Sequence, residues 1–267
     1  MPFNVIWIVE VFVAFVIALA LHESAHAAMA AALGDSTPLS NGRFSLAPRR
    51  HMSAIGTIVA IVFAMKPLFL FPTGLGWGKP VDVDARRLRV GPNFGLILVA
   101  LAGPLVNALL GFAVLFGLRL LPGSNALQVS SVRCISPELL SSGIAVGGQP
   151  LQTCLSGAQN IAVLRIEQFL FAFAVSSIAL AILNIIPLHP LDGYKILFAL
   201  LPNRPAVRYR DFEPYMEFTL LVIFFVLPVV LGFVGIPLNL GNLLVIAPAY
   251  NLAGAVVGNL MTVFLLL

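Results

Sequence analysis

The chain has 267 residues, of which 60% are hydrophobic and 10% are charged, and its mean hydropathy is +1.01. Soluble domains carry about 25% charged residues, so this chain has too little polar surface to cover a water-soluble globule. The composition excludes a cytosolic enzyme, a disordered regulator and a secreted disulfide scaffold. The net charge of +4 comes from short basic segments between apolar runs, a pattern typical of membrane topology. We therefore predict an integral membrane protein and expect no nucleic-acid partner.

The apolar runs predict membrane-crossing helices. A helical crossing needs about 20 apolar residues, and only helices or closed barrels satisfy their backbone hydrogen bonds in lipid. The runs do not alternate with polar residues, which favours an all-α protein. The five predicted spans are 3–33, 93–121, 166–187, 216–236 and 241–266. We expect residues 1–267 to form a single membrane-embedded domain whose C-terminal helices occupy 216–267.

The distribution of basic residues predicts the topology. Arginine and lysine gather in segments 34–53, 73–92 and 193–215, whereas 122–165 carries few. The positive-inside rule places the three basic segments on the cytoplasmic side and 122–165 outside, as an extracytoplasmic loop. The apolar stretch 55–71 has basic segments on both sides and contains a lysine and a proline, so we predict a re-entrant hairpin there.

The first predicted span carries the strongest chemical signal, the pattern H-E-x-x-H in His22, Glu23 and His26. Residues four apart lie on one helix face, so both imidazoles can reach one metal ion. Glu23 can reach a water on that metal as a general base. Ionisable side chains inside an apolar helix are costly, which makes each of them a functional candidate. The pattern predicts a zinc site that lacks one protein ligand.

Asp192 is the predicted third ligand. It follows the span 166–187, which returns to the cytoplasmic side, and Pro187, Pro190 and Gly193 interrupt the helix around it. This interruption can turn the carboxylate towards the histidines. The assignment requires the stretch 55–71 to be re-entrant, because a full crossing there would put Asp192 on the opposite face of the membrane.

At these residues the chain resembles the site-2 protease family of intramembrane zinc metalloproteases, in the compact form without a PDZ domain. The resemblance is carried by HESAH at 22–26, GPLVN at 103–107, NIIPLHPLDG at 184–193 and the stretch GWGKPV, and it covers most of 15–215. It implies one zinc per chain, a multi-pass protein of a prokaryotic cytoplasmic membrane, and an active site nearer the cytoplasmic face. It also implies cleavage of transmembrane protein substrates after local unwinding, in contact with the lipid bilayer and with a regulatory membrane partner.

The same resemblance implies roles for individual residues. It makes His22, His26 and Asp192 the zinc ligands and Glu23 the base. Asn107 would hydrogen-bond the scissile carbonyl or the oxyanion, although helix packing by a small polar side chain is an equal alternative.

Further residues belong to the surroundings of the site. Asn184 would orient a ligand or the substrate backbone, with a structural role slightly favoured. His51 would support the site or anchor a loop, and we do not expect it to be catalytic.

The stretch GWGKPV resembles the short β segments that lie beside the active site in this family. Gly76, Trp77, Gly78 and Lys79 are accordingly the predicted substrate-binding residues, because an extended substrate can pair with such a segment by β-addition. The fold expected from sequence is therefore about five transmembrane helices, a re-entrant hairpin and short β segments near the active site.

Three other functions compete with proteolysis. A zinc transporter would need further ligands along a path through the bilayer, and the other spans offer almost none. A catalytically silent family member would bind membrane helices without cutting them, but the ligands and the base are intact. A protease for prenylated tails typically takes a glutamate as third ligand. The sequence also leaves open whether Cys134 and Cys154 form a disulfide.

Overall fold

Helices make up the regular structure of the protein, as a computed structural model describes it over residues 5–45, 47–64, 75–120, 161–235 and 240–257. In chain order the helices are α1 (Val5–Ala32), α2 (Thr37–Ser40), α3 (Pro48–His51), α4 (Ala54–Ala64), α5 (Pro92–Leu120), α6 (Ile161–Asn184), α7 (Asp192–Leu200), α8 (Asn203–Asp211), α9 (Glu213–Leu221), α10 (Leu227–Phe233) and α11 (Ala247–Val257). The predicted helical class is confirmed for these ranges.

Three helices in the described ranges are long and apolar enough to cross a membrane. They lie at Ile8–Ala32, Pro92–Leu120 and Ile166–Asn184, and they correspond to the first three predicted spans. The predicted count of about five spans is not supported. In the fourth and fifth predicted spans, α-helical segments are joined by π-helical turns, and residues 236–239 and 258–267 lie outside the description.

Prolines explain why the helical backbone of these last two apolar runs is irregular. Each contains a π-helical turn, Val222–Val226 or Asn242–Ile246, and each turn leads into a helix whose second residue is proline, Pro228 or Pro248. Proline donates no backbone hydrogen bond, and its ring clashes with the carbonyl group four residues earlier. The backbone widens there into a π turn, which a hydropathy argument does not detect.

The three long helices pack closely against one another around small residues. Ala14 and Ala18 of α1 are fully buried in a cluster with Phe173 of α6. Between α5 and α6, a Cβ built on Gly111 would come within 2.7 Å of the Ile178 side chain. Helices in lipid associate through such close van der Waals packing because there is no hydrophobic driving force between them. The packing positions α1, α5 and α6 as the frame of the site.

The segment that follows residue 74 is extended but forms no β-strand within the described residues, so the predicted short β segments are not supported. One isolated antiparallel bridge joins Met52 to Gly78. Beside it, the Lys79 backbone N–H donates to the His51 carbonyl oxygen over 2.7 Å. The ladder does not extend further, because Met52 and Ser53 lie between the helices α3 and α4, whose backbone groups are not available for pairing.

The predicted re-entrant hairpin and the predicted extracytoplasmic loop lie only partly within the described residues. The described part of helix α4 has 11 residues and rises about 16 Å, roughly half the thickness of a bilayer core. The return of the predicted re-entrant hairpin lies in 65–74, which is outside the described residues. So are most of the predicted extracytoplasmic loop and both Cys134 and Cys154.

Candidate metal centre

Three donor atoms converge between α1 and the first residue of α7. Asp192 Oδ2 lies 2.9 Å from His22 Nε2 and 2.9 Å from His26 Nε2, and the two Nε2 atoms lie 3.0 Å apart. All three side chains are buried, with exposed fractions between 1% and 4%. The structure therefore brings together two imidazoles and one carboxylate that the sequence separates by about 170 residues.

The local structure explains how each group reaches this point. His22 and His26 lie one turn apart on α1 and face the same side. Asp192 follows a segment in which Leu188 N–H donates to the Ile186 carbonyl oxygen over 2.9 Å. A Cβ on Gly193 would overlap the carbonyl oxygens at the end of α6, so glycine allows the chain to fold back tightly. This turn directs the carboxylate of Asp192 at the histidine pair.

The tautomer of His26 shows that the three donor atoms suit a bound cation. The Val99 carbonyl oxygen lies 2.6 Å from His26 Nδ1, and a carbonyl group only accepts, so Nδ1 carries the proton of the neutral ring. The Nε2 lone pair of that ring then faces the carboxylate oxygen of Asp192. Two such electron-rich atoms at 2.9 Å repel each other unless a proton or a metal ion lies between them. Nitrogen and carboxylate donors of this kind are those of catalytic zinc sites.

Glu23 adds a buried carboxylate next to the ligand pair. Its side chain is 6% exposed, and Oε2 has no hydrogen-bond partner among the described residues. On its other side it contacts the extended segment, because a Cβ built on Gly78 would come within 2.7 Å of Glu23 Oε1. An unpaired buried carboxylate oxygen is costly, and a water molecule in the site would satisfy it. A carboxylate in this position can accept a proton from such a water.

The remaining predicted residues lie in different surroundings. Asn107 of α5 is fully buried, and its amide lies 3.2 Å from His22 Nδ1. Asn184 is buried at the end of α6, where its Nδ2 donates to the Leu180 carbonyl oxygen within its own helix over 2.9 Å. The structure thus brings Asn107 to a ligand histidine and occupies the Asn184 amide nitrogen inside α6.

His51 anchors a loop. Its ring Nε2 bonds the Ser45 carbonyl oxygen, and its own carbonyl oxygen accepts from Lys79. Burial lowers the pKa of His51, and the charges of Arg43 and Arg50 lower it further against the opposing effect of the Ser45 hydrogen bond. The imidazole is therefore neutral near pH 7, where it holds the connection between α2 and α3 beside the extended segment.

The predicted substrate-binding stretch is also fixed in place. Trp77 is buried, and its indole Nε1 donates to Glu217 Oε1 of α9 over 3.1 Å. Gly76 contacts α4, because a Cβ there would come within 3.1 Å of the Ala60 side chain. The segment that contains Gly78 and Lys79 is thus held between α4, α9 and the Glu23 carboxylate.

Two contacts were not predicted from the sequence. Gly103 of α5 lies against both imidazoles, since a Cβ there would come within 2.6 Å of His26 Cε1 and 2.7 Å of His22 Cε1. Lys195 Nζ lies 3.3 Å from Asp192 Oδ1. The sequence spacing could have indicated both contacts, because Gly103 precedes Asn107 by four residues on α5 and Lys195 follows Asp192 by three on α7.

Comparison with known proteins agrees with this geometry. The family model of Peptidase family M50, the site-2 protease family, matches residues 10–228, a range that includes all the residues of the cluster. The chain is 28% identical over 212 residues to a curated protein of Bacillus subtilis (strain 168) named "Putative zinc metalloprotease YwhC"; the match covers 79% of this chain and 78% of that protein. No solved structure matches significantly. The chain therefore belongs to peptidase family M50, and at the level of that family its function is that of a site-2 protease-like intramembrane metalloprotease.

Proposed function

We propose that this protein is an intramembrane zinc metalloendopeptidase that hydrolyses peptide bonds in or near the transmembrane segments of other membrane proteins. The observation that carries the proposal is the buried convergence of His22, His26 and Asp192, with the Glu23 carboxylate beside them. Membership of peptidase family M50 and the similarity to a curated zinc metalloprotease both support zinc as the metal. One ion per chain fits a single cluster of three ligands.

The three proposed ligands and Glu23 have different roles in peptide hydrolysis. His22, His26 and Asp192 would hold the zinc ion, which when bound supplies a Lewis acid that polarises the scissile carbonyl group and acidifies water. Glu23 takes a proton from the attacking water and returns it to the departing amine. Its buried, unpaired Oε2 is available for that proton.

A substrate helix has to unwind before it can react, because a helical carbonyl group is hydrogen-bonded to the amide four residues later. In our proposal the unwound segment pairs with the extended stretch from Gly76 to Lys79, through the β-addition expected from sequence. The contact between Gly78 and Glu23 supports this placement, since it brings the extended backbone to the base. Asn107 and Asn184 remain proposed contacts of the substrate carbonyl and backbone.

The cellular setting is part of the proposal. The three long apolar helices support a membrane protein. The basic segments support a cytoplasmic orientation of the site, and we propose a prokaryotic cytoplasmic membrane as its location. Substrates are transmembrane proteins, and a membrane partner regulates their access. We also propose that residues 1–267 act as one domain.

Zinc content tests the proposal most directly. We expect about one zinc per chain in detergent-purified protein, measured by mass spectrometry, and a strong loss of zinc in His22→Ala and Asp192→Ala. Retention in Asp192→Ala would remove that residue from the ligand set. Folded wild-type protein without any affinity for zinc would instead favour a catalytically silent binder of membrane helices.

Transport is the second function that a zinc site allows. Within the described residues, His22, His26 and Asp192 form the one group of three metal-binding side chains that lie close enough to share an ion. A transport path would need further groups of this kind, and none is found there. Uptake of zinc into proteoliposomes distinguishes the two functions. We expect no uptake above that of empty liposomes.

A further inference from the structure

Helix α5 contacts the outer nitrogen of both ligand histidines. The Val99 carbonyl oxygen lies 2.6 Å from His26 Nδ1, and the Asn107 amide lies 3.2 Å from His22 Nδ1. The two residues are eight apart and so lie on the same side of the helix. The first contact defines the His26 tautomer, because a carbonyl group cannot donate. The His22 tautomer depends on whether the oxygen or the nitrogen of the Asn107 amide faces the ring.

The two orientations of the Asn107 amide have opposite consequences for His22. With Nδ2 towards the ring, Nδ2–H donates to an unprotonated Nδ1, and the proton of the neutral imidazole is then on Nε2. That proton points at Asp192 Oδ2, 2.9 Å away, and it occupies the position in which a metal would bind. With Oδ1 towards the ring, Nδ1–H donates to Asn107 and Nε2 keeps its lone pair.

Metal binding selects the orientation with Oδ1 towards the ring, because a neutral His22 that binds metal through Nε2 carries its proton on Nδ1, and the Asn107 amide lies 3.2 Å from that atom. When Nδ2 faces His22, the fully buried Oδ1 of Asn107 has no hydrogen-bond partner among the described residues. An amide rotated by 180° fills almost the same volume and gives Oδ1 a donor, the Nδ1–H of His22. The N–H₂ then takes the position that has no hydrogen-bond partner among the described residues.

We propose that Asn107 is a positioning residue of the metal centre: its amide oxygen accepts the Nδ1 proton of His22 and so keeps the His22 Nε2 lone pair available to the metal. The proposal rests on the zinc site described above. Helix α5 then supplies one acceptor for each ligand histidine, the Val99 carbonyl oxygen for His26 and the Asn107 amide oxygen for His22. The amide N–H₂ of Asn107 is left free to donate to a substrate carbonyl.

Two variants of nearly identical shape test the acceptor. Asn107→Asp keeps an oxygen opposite Nδ1, whereas Asn107→Leu fills the space without one. The measurement is the zinc dissociation constant of purified protein, obtained by competition with a chromophoric chelator. We expect Asn107→Leu to weaken zinc binding by about 10- to 100-fold, as with other partners of metal-ligating histidines. We expect Asn107→Asp to bind zinc at least as tightly as the wild type.

The outcomes separate this inference from the function it rests on. Equal zinc affinity in wild type and Asn107→Leu overturns the positioning role while leaving the zinc site intact. Tighter zinc binding in Asn107→Leu than in the wild type shows that the amide donates to His22, and it also overturns the proposal. A wild type that binds no zinc overturns the metal site itself, and with it this inference.

A spectroscopic measurement on the wild type does not depend on whether an Asn107 variant folds. The chain contains four histidines, so selective ¹⁵N-histidine labelling gives a spectrum that single substitutions can assign. In the zinc-loaded protein we expect His22 to be protonated at Nδ1, with the chemical shift of Nε2 moved by the metal. A zinc-loaded His22 that is bound through Nδ1, or protonated at Nε2, contradicts the proposal.

Discussion

Gly103 of α5 lies directly against the imidazole of His26, so closely that a Cβ built on it would come within 2.6 Å of Cε1 and would overlap Nε2. The same Cβ would come within 2.7 Å of His22 Cε1. Because the neighbours are ring atoms of two buried side chains, they cannot move aside without displacing the donor atoms. The absence of a side chain at this position is therefore required for the three donor atoms to converge as they do.

Replacing Gly103 by alanine should remove metal from an otherwise folded protein. The added methyl group pushes the His26 ring away from His22 and Asp192, so we expect the Gly103→Ala variant to lose most of its zinc in mass spectrometry. Gly117→Ala is the matched control on the same helix, because a Cβ there has nothing within 4 Å. Full zinc content in Gly103→Ala would show that the rings can be displaced without cost.

Glu23→Gln should separate metal binding from catalysis. The amide has nearly the same shape as the carboxylate and does not touch the ligand set, so we expect about one zinc per chain. The amide cannot accept a proton from water, and loss of a general base slows such reactions by about 10²–10⁴-fold. Cleavage is measured on a single-span membrane protein co-reconstituted with the enzyme in liposomes. Normal turnover by the variant would exclude Glu23 as the base.

The hydrogen bond from Trp77 to Glu217 predicts a variant that binds zinc normally but cleaves slowly. Glu217→Leu removes the acceptor that holds the extended segment against α9 at 3.1 Å. A hydrogen bond of this kind is worth about 0.5–1.5 kcal/mol, so we expect a 2- to 12-fold decrease in cleavage with zinc content unchanged. Glu217→Gln keeps an acceptor oxygen and should behave as the wild type. Equal rates in the Leu and Gln variants would exclude this hydrogen bond from substrate positioning.

Asp35 ties the end of α1 to the segment before α5, and it predicts how stability depends on pH. Its Oδ1 accepts from the Thr37 N–H at 3.0 Å and from the Thr37 hydroxyl at 2.6 Å, and its Oδ2 accepts from the Asp84 N–H at 2.8 Å. Burial raises the pKa of Asp35, but these hydrogen bonds and the charge of Arg87 outweigh burial and hold it below 3.8. The stabilisation is complete above pH 3.8 and is lost as the pH falls through the lower folded-state value.

Asp35→Asn should therefore destabilise the protein near neutral pH and flatten its acid dependence. The amide N–H₂ meets either the Asp84 N–H or the Thr37 donors, and one buried donor without a partner costs about 1–3 kcal/mol. Thermal unfolding in detergent between pH 7 and pH 3 measures the effect. Asp82→Asn is the control, because Asp82 lies in the same segment and is exposed. The same acid dependence in wild type and Asp35→Asn would contradict this account.

The membrane nature of the protein and the histidine pair were readable from the sequence. Composition alone indicates lipid as the solvent, and a spacing of four residues places His22 and His26 on one face of any helix. Asp192 was predicted from the prolines and glycine around it together with the charge of the loops. The first two inferences rest on hydrophobicity and backbone periodicity, which are local properties of the chain.

Only the tertiary structure decided which other groups touch the imidazoles. Val99, Gly103 and Asn107 lie 73 to 85 residues beyond the histidines that they contact, and their arrival depends on how α5 is rotated and how closely it packs on α1. The same holds for the isolated bridge at Gly78, where a β segment was expected. Hydropathy measures how much apolar chain there is, whereas side-chain packing decides which face of each helix lies against the three donor atoms.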